Sequence, residues 1–170
     1  MKRFEKYLFI SFLSLIVFFL LQQLYYYSQL PDQVAIHFSF QGEPDSWAAK
    51  PAYIGIAFFL VLMIGGGMGF SYWLIGHSGN DLINLPNKEY WLAPDLRDET
   101  IARIRTYVLL LGIETWLFLM IIMHKSMQAN LNEGEVHLGP MYPELIIYLL
   151  IIAGTIIHMV YYFSRRPNSK

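Results

Sequence analysis

The sequence predicts an all-α integral membrane protein: four transmembrane helices, both termini cytoplasmic, and a small ordered extracytoplasmic cap with room for a short strand pair. Three observations carry this prediction. Hydrophobic residues make up 55% of the 170 residues, and they fall in long uninterrupted blocks, which an ordinary globular domain does not show. Of the twelve Lys and Arg residues, only Lys50 and Lys125 fall on one side of the proposed spans, and the rest, from Lys2 to Lys170, fall on the other. By the positive-inside rule that richer side is the cytoplasm. Finally, Leu30 to Lys50 interrupts the apolar blocks with a polar and aromatic stretch that has the grammar of an ordered loop.

The first span covers Tyr7 to Tyr27. Its length as a helix is about 31 Å, enough to cross the hydrocarbon core. Its Leu, Ile, Phe and Val residues favour insertion by roughly 5 kcal/mol. A secretory signal would share the basic front end, but no small-residue cleavage site follows, and Tyr25-Tyr26-Tyr27 forms an aromatic girdle instead. Leu30-Pro31 then ends the helix, because the residue before proline is pushed out of the α region. Val34, Ile36, Phe38 and Phe40 alternate with Ala35, His37 and Ser39, a period of two that predicts a half-buried strand with His37 on the polar face. Gln41 to Asp45 carries turn chemistry, with Gly42 and Pro44 as its punctuation. Trp47 and Lys50 close the segment as an interfacial aromatic and a snorkelling amine.

The second span covers residues 52–75. Gly65, Gly66 and Gly69 give it a small-residue face on which another helix can pack closely, and the glycine run can also loosen the helix. A polar connection follows, in which Tyr90 and Trp91 suit the headgroup level. Pro94 starts the next helix with Asp95, Asp98 and Glu99 in its first turns. Helical character runs unbroken to about Ser126, so the third span, residues 105–124, is the second half of one long helix. Residues 127–144 form the second outer connection. Asn132-Glu133-Gly134 is a turn signal there, and Asn130 to Leu138 is either coil or a partner for the strand at Val34 to Phe40. The fourth span, residues 145–163, ends at Arg165-Arg166. The expected organisation is one membrane domain over residues 1–170, with the motif loop at 28–51.

The pattern Leu30-Pro31, His37-Phe38, Gly42, Asp45 and Lys50 resembles the bacterial membrane family catalogued as domain of unknown function 1648, the N-terminal domain of longer SdpI-type toxin-immunity proteins. The resemblance covers the loop and, less specifically, the helices on either side. It implies a location in the bacterial cytoplasmic membrane and a role related to immunity. Longer proteins of that type carry further helices and a second motif region that this chain lacks, so immunity itself does not carry over whole.

The chemistry on offer is narrow. There is no cysteine, so disulfides, thiolate metal sites and cysteine nucleophiles are excluded. A net charge of −1 gives no reason to expect nucleic acid. No phosphate loop, nucleotide fingerprint or Ser-His-Asp set is apparent, and neither catalysis nor a cofactor is expected. His37, Asp45 and an outer-loop histidine suit zinc chemically, but they lack any ligand spacing that marks a metal site. Glu114 is the acidic residue deepest in a span, level with Thr155 on the fourth helix and about one turn from His158. Its plain role is interhelical glue through Thr155 or Ser14; its sharper role is a proton or ligand relay with His158.

The leading expectation is therefore a membrane binding or sensing protein for an external peptide or small molecule, with His37, Gly42, Asp45 and Lys50 as the motif residues. A small proton-coupled transporter using Glu114 and His158 is the alternative from a different class. A third is a structural subunit that joins a second copy or another membrane protein through its glycine face.

Overall fold

The computed structural model describes residues 2–132 and 136–165. The turn expected at Asn132-Glu133-Gly134, the acids Glu133 and Glu135, and the basic residues Arg166 and Lys170 therefore lie wholly or partly outside the described residues. Among those described, four helices are long and apolar enough to cross a membrane. They are α1 (Lys2–Tyr27), α2 (Lys50–His77), α3 (Pro94–Leu131) and α4 (Tyr142–Ser164). Between α1 and α2 lies a hairpin of β1 (Gln33–Phe38) and β2 (Pro44–Ala49). A 3₁₀ turn at Asn80–Leu82 and a short helical turn at Lys88–Trp91 join α2 to α3.

Each boundary has a local cause. Pro51, Pro94 and Pro143 sit in the first turns of α2, α3 and α4, where a missing N–H removes no intrahelical bond and the fixed φ suits the helix. In α2 the segment Val61–Gly66 is a π turn, a local widening where the glycine run begins. α3 is 38 residues long, or about 57 Å at the standard rise, well beyond the thickness of a hydrocarbon core. It continues past the expected end near Ser126 to Leu131, and this extra turn carries it beneath the hairpin.

α3 is the central element, packed against α1, the second half of α2 and α4. The α1–α3 seam holds the tightest part of the core: Phe12, Phe19, Leu109, Trp116 and Met127 are almost completely buried. Gly112 lets α1 come close, because a Cβ there would lie 2.7 Å from the Phe12 ring. The outward surface is the reverse of a water-soluble protein's. Leu62, Leu150 and Ile157 are each at least 67% exposed, and α4 buries only Phe163. Such a surface suits lipid.

The hairpin settles one point of the sequence reading and corrects another. The partner of β1 is β2, and of the two alternatives for Asn130 to Leu138 the described residues form no strand there; the ladder runs antiparallel from Gln33 opposite Ala49 to Phe38 opposite Pro44. The register also slips between Ala35 and His37 and again between His37 and Phe38. Such a bulge breaks the period of two, so Val34 and Ala35 are both fully buried whereas Phe40 is 71% exposed. Residues 136–141 are coil, and this coil meets the hairpin turn through one backbone bond, Leu138 N–H to the Gly42 carbonyl at 2.9 Å.

Candidate functional site

Two regions gather the residues singled out by sequence, and they lie in different parts of the fold. The first is the hairpin and the helix end beneath it. Asn130, buried near the end of α3, faces Ala35 of β1. Its Oδ1 accepts the Ala35 N–H at 2.7 Å, and its Nδ2 donates to the Ala35 carbonyl at 3.0 Å and to the Ser126 carbonyl at 2.9 Å. One side chain thus satisfies both backbone groups of a buried strand residue, which would otherwise cost free energy.

Gly42 and Lys50 also build the cap. Gly42 has φ 89°, a conformation that glycine adopts without strain. A Cβ at Gly42 would lie 2.5 Å from the carbonyl oxygen of Gly139, so the two loops touch through bare backbone. The Lys50 backbone N–H bonds the Asp32 carbonyl at 2.9 Å, and its Nζ donates to the Leu30 carbonyl at 2.8 Å. The same ammonium lies 4.9 Å from the centre of the Tyr27 ring. Lys50 therefore ties the exit of α1 to the entry of α2.

His37 and Asp45 remain on the surface. The imidazole Nδ1 stands 2.5 Å from Asp45 Oδ1, with side chains 70% and 48% exposed. A second imidazole–carboxylate pair stands beside the turn: His137 Nε2 is 3.2 Å from Glu43 Oε1. His137 Nδ1 accepts the Gly139 N–H at 2.9 Å, which leaves the Nε2 proton for Glu43. Phe40 and Trp47, at 71% and 50% exposure, display aromatic surface on the same hairpin. His124 is exposed as well, with its Nδ1 3.2 Å from the Tyr26 hydroxyl, which Gln128 also contacts at 2.9 Å. Among the described residues no group of three or more His, Asp or Glu side chains is placed to hold a metal ion.

The second region is the α3–α4 seam, where polar pairs recur along the length of the two helices. Lys125 Nζ lies 2.8 Å from Glu144 Oε1, the Thr115 and Tyr148 hydroxyls are 3.1 Å apart, and Thr155 donates to Glu114 Oε1 at 2.6 Å. Further along, the Tyr107 hydroxyl meets His158 Nδ1 at 2.9 Å, and the Arg103 guanidinium lies 4.5 Å from the Tyr162 ring centre. Glu114 thus pairs with Thr155 rather than with Ser14. Among the described residues no hydrogen bond links the Glu114–Thr155 pair to the Tyr107–His158 pair, which lie about two turns apart on α3 and about one turn apart on α4.

Of the glycines read as a packing face, a Cβ at Gly65 would crowd Ile16 at 3.2 Å and Trp116 at 3.3 Å, whereas a Cβ at Gly66 or Gly69 would meet no neighbouring element within 4 Å. Residues that sequence reasoning missed are Asn130, the Glu43–His137 pair and the tyrosines of the seam. The recurrence of Glu144, Tyr148, Thr155, His158 and Tyr162 on one face of α4 was the available signal.

With this geometry in view, residues 12–64 match the family model described as Domain of unknown function (DUF1648). The matched stretch runs from the middle of α1 through the hairpin to the π turn of α2, so it contains His37, Gly42, Asp45 and Lys50 and none of the α3–α4 seam. No curated protein and no solved structure matches the chain.

Proposed function

We propose that this chain is an integral membrane binding or sensing protein of the bacterial cytoplasmic membrane, with both termini cytoplasmic and the hairpin cap on the outer side. The cap reads an external peptide or small molecule, and protection against a toxic peptide is the immunity-like form of that role. The supporting observation is the division of labour within the family-matched segment. Gly42 and Lys50 are engaged in bonds that fix the hairpin, whereas the His37–Asp45 pair stays exposed. A rigid hairpin that displays a polar pair beside the exposed rings of Phe40 and Trp47 offers hydrogen bonds and apolar contact together, the mixture that recognition surfaces use.

The test is survival. Cells expressing the wild type, His37→Ala, Asp45→Ala or Glu114→Gln are challenged with a panel of secreted bacterial toxic peptides. Wild type and Glu114→Gln should protect against at least one peptide, and the two cap variants, at equal membrane abundance, should lose about tenfold in protective dose, the cost of one good polar contact. Full protection by His37→Ala and Asp45→Ala would contradict the cap reading. Protection by none of the forms would contradict its immunity-like version.

A further inference from the structure

At the end of the molecule where α1 begins, a cavity of about 440 Å³ opens between α1, the last turns of α2 and the start of α3. Three cationic side chains, Lys6, Arg97 and Arg105, line it against two acidic ones, Glu5 and Asp98. Its level follows from the way α1 and α3 run side by side: Glu5 lies beside Arg105, as Phe12 lies beside Gly112. Lys6 immediately precedes the uncharged run that starts at Tyr7. This row of charges therefore stands where the phosphates of a bilayer stand.

The Arg105 guanidinium is held in place and left open. Its Nε donates to the Tyr72 carbonyl at 3.0 Å, and its carbon lies 4.5 Å from the centre of the Tyr72 ring. A Cβ at Gly76 would collide with it, so the bare backbone one turn further along α2 gives the group its room. Glu5 is only a partial counter-charge. The Tyr72 hydroxyl donates to its Oε1 at 2.8 Å, and Arg105 Nη1 stands 3.8 Å from the same atom, beyond hydrogen-bond length. Among the described residues neither Nη atom of Arg105 makes a hydrogen bond. The side chain is 22% exposed and none of its nitrogens is both buried and unpaired, so the free N–H groups face open space. Lys6 is exposed too and, among the described residues, has no hydrogen-bond or ion-pair partner. Arg97 is different: its Nε and Nη2 are engaged by Asn80 and the Ser78 carbonyl. Asp98 follows it at the outer rim, two turns or about 10 Å along α3 from Arg105. The open charges at the level of Arg105 are thus cationic, and they complement an anion. One turn deeper on α1, Phe9 stacks on Tyr72 with ring centres 5.1 Å apart and makes that side of the cavity apolar.

We propose that this cavity seats the phosphate of an anionic phospholipid from the leaflet at that end, with Arg105 Nη and Lys6 Nζ donating to its oxygens and the glycerol passing Phe9 into the bilayer. Basic cavities between helices at a membrane surface take headgroups of this kind. The lining carries one positive charge more than it has negative, so a headgroup of net negative charge matches it better than a zwitterionic one. The site is separate from the cap and does not rest on the cap's function.

The test titrates the full-length protein in dodecyl maltoside with phosphatidylglycerol or phosphatidylcholine of matched acyl chains and reads the first lipid adduct by native mass spectrometry. Phosphatidylglycerol should bind about fivefold tighter. Lys6→Gln should lower its affinity about fivefold and Arg105→Gln about tenfold. Arg165→Gln removes a cation at the same end of the molecule but outside the cavity, and should leave the affinity unchanged. Glycerol phosphate at the lipid's concentration should not displace the adduct. Equal affinity for the two lipids, unchanged affinity in Lys6→Gln, or an equal loss in Arg165→Gln would overturn the proposal. Displacement by glycerol phosphate would overturn the lipid as the occupant and give the site to soluble phosphates. If Arg105→Gln does not fold, Lys6→Gln, which breaks no bond among the described residues, decides the matter.

Discussion

A single carboxamide, that of Asn130, stands in for a third strand: it accepts from Ala35 N–H and donates to Ala35 C=O in a buried setting. Asn130→Ala leaves both backbone groups bare, and the cap should lose about 3 kcal/mol of stability. Hydrogen exchange at the Ala35 amide reads this directly; unchanged protection in the variant would show that the bond carries no weight. Gly42→Ala is the complementary case. Its φ of 89° and its contact with Gly139 should make alanine cost about 2–3 kcal/mol, seen as a lower unfolding temperature, and a melting curve like the wild type's would refute the close approach. At this scale the sequence was half legible. Gly42 was readable as a turn glycine from its neighbours Gln41 and Glu43. Its contact at Gly139 depends on how α3 returns the chain to the hairpin, and no local pattern reports that.

Among the elements, α3 organises the rest, and its two seams differ in chemistry. The α1 seam is apolar and tight at its centre, with Phe12 seated over Gly112, and polar only towards its ends, where Tyr26 meets His124 and Gln128 and Glu5 meets Arg105. Gly112→Leu should push Phe12 out and cost about 2–3 kcal/mol, lowering the melting temperature in detergent; a melting temperature equal to the wild type's would contradict this packing. The α4 seam is polar along its length. The spans were legible because twenty or so apolar residues in a row leave few alternatives, and β1 was legible from its alternation. β2 was not, because Pro44 and Asp45 carry turn chemistry, and a proline at the start of an edge strand is compatible with pairing only when the partner is known. The bulge beside Ile36 defeated the alternation at Phe40 for the same reason: register is a property of two strands. The common depth of Glu114 and Thr155 was legible from the spans, but the pairing with Thr155 rather than Ser14 was not, because it depends on which face of α3 meets α4.

At the scale of the whole molecule, four apolar helices with outward-facing Leu, Ile and Phe side chains carry a hairpin at one end. The exposed His37–Asp45 pair sits at that end, and the bend containing Asn87 and Glu89 lies at the other, next to the end of α4. The cap reading requires that the hairpin end face the outer medium, which the distribution of Lys and Arg predicts. The chain has no cysteine, so Gln41→Cys in the exposed turn and Glu89→Cys in the opposite bend each introduce a single reactive thiol. The deciding measurement is labelling of these two variants by a membrane-impermeant maleimide in intact cells, before and after permeabilisation. The account predicts that Gln41→Cys labels in intact cells and Glu89→Cys only after permeabilisation; the reverse pattern would turn the cap toward the cytoplasm and contradict the proposed recognition of an external ligand.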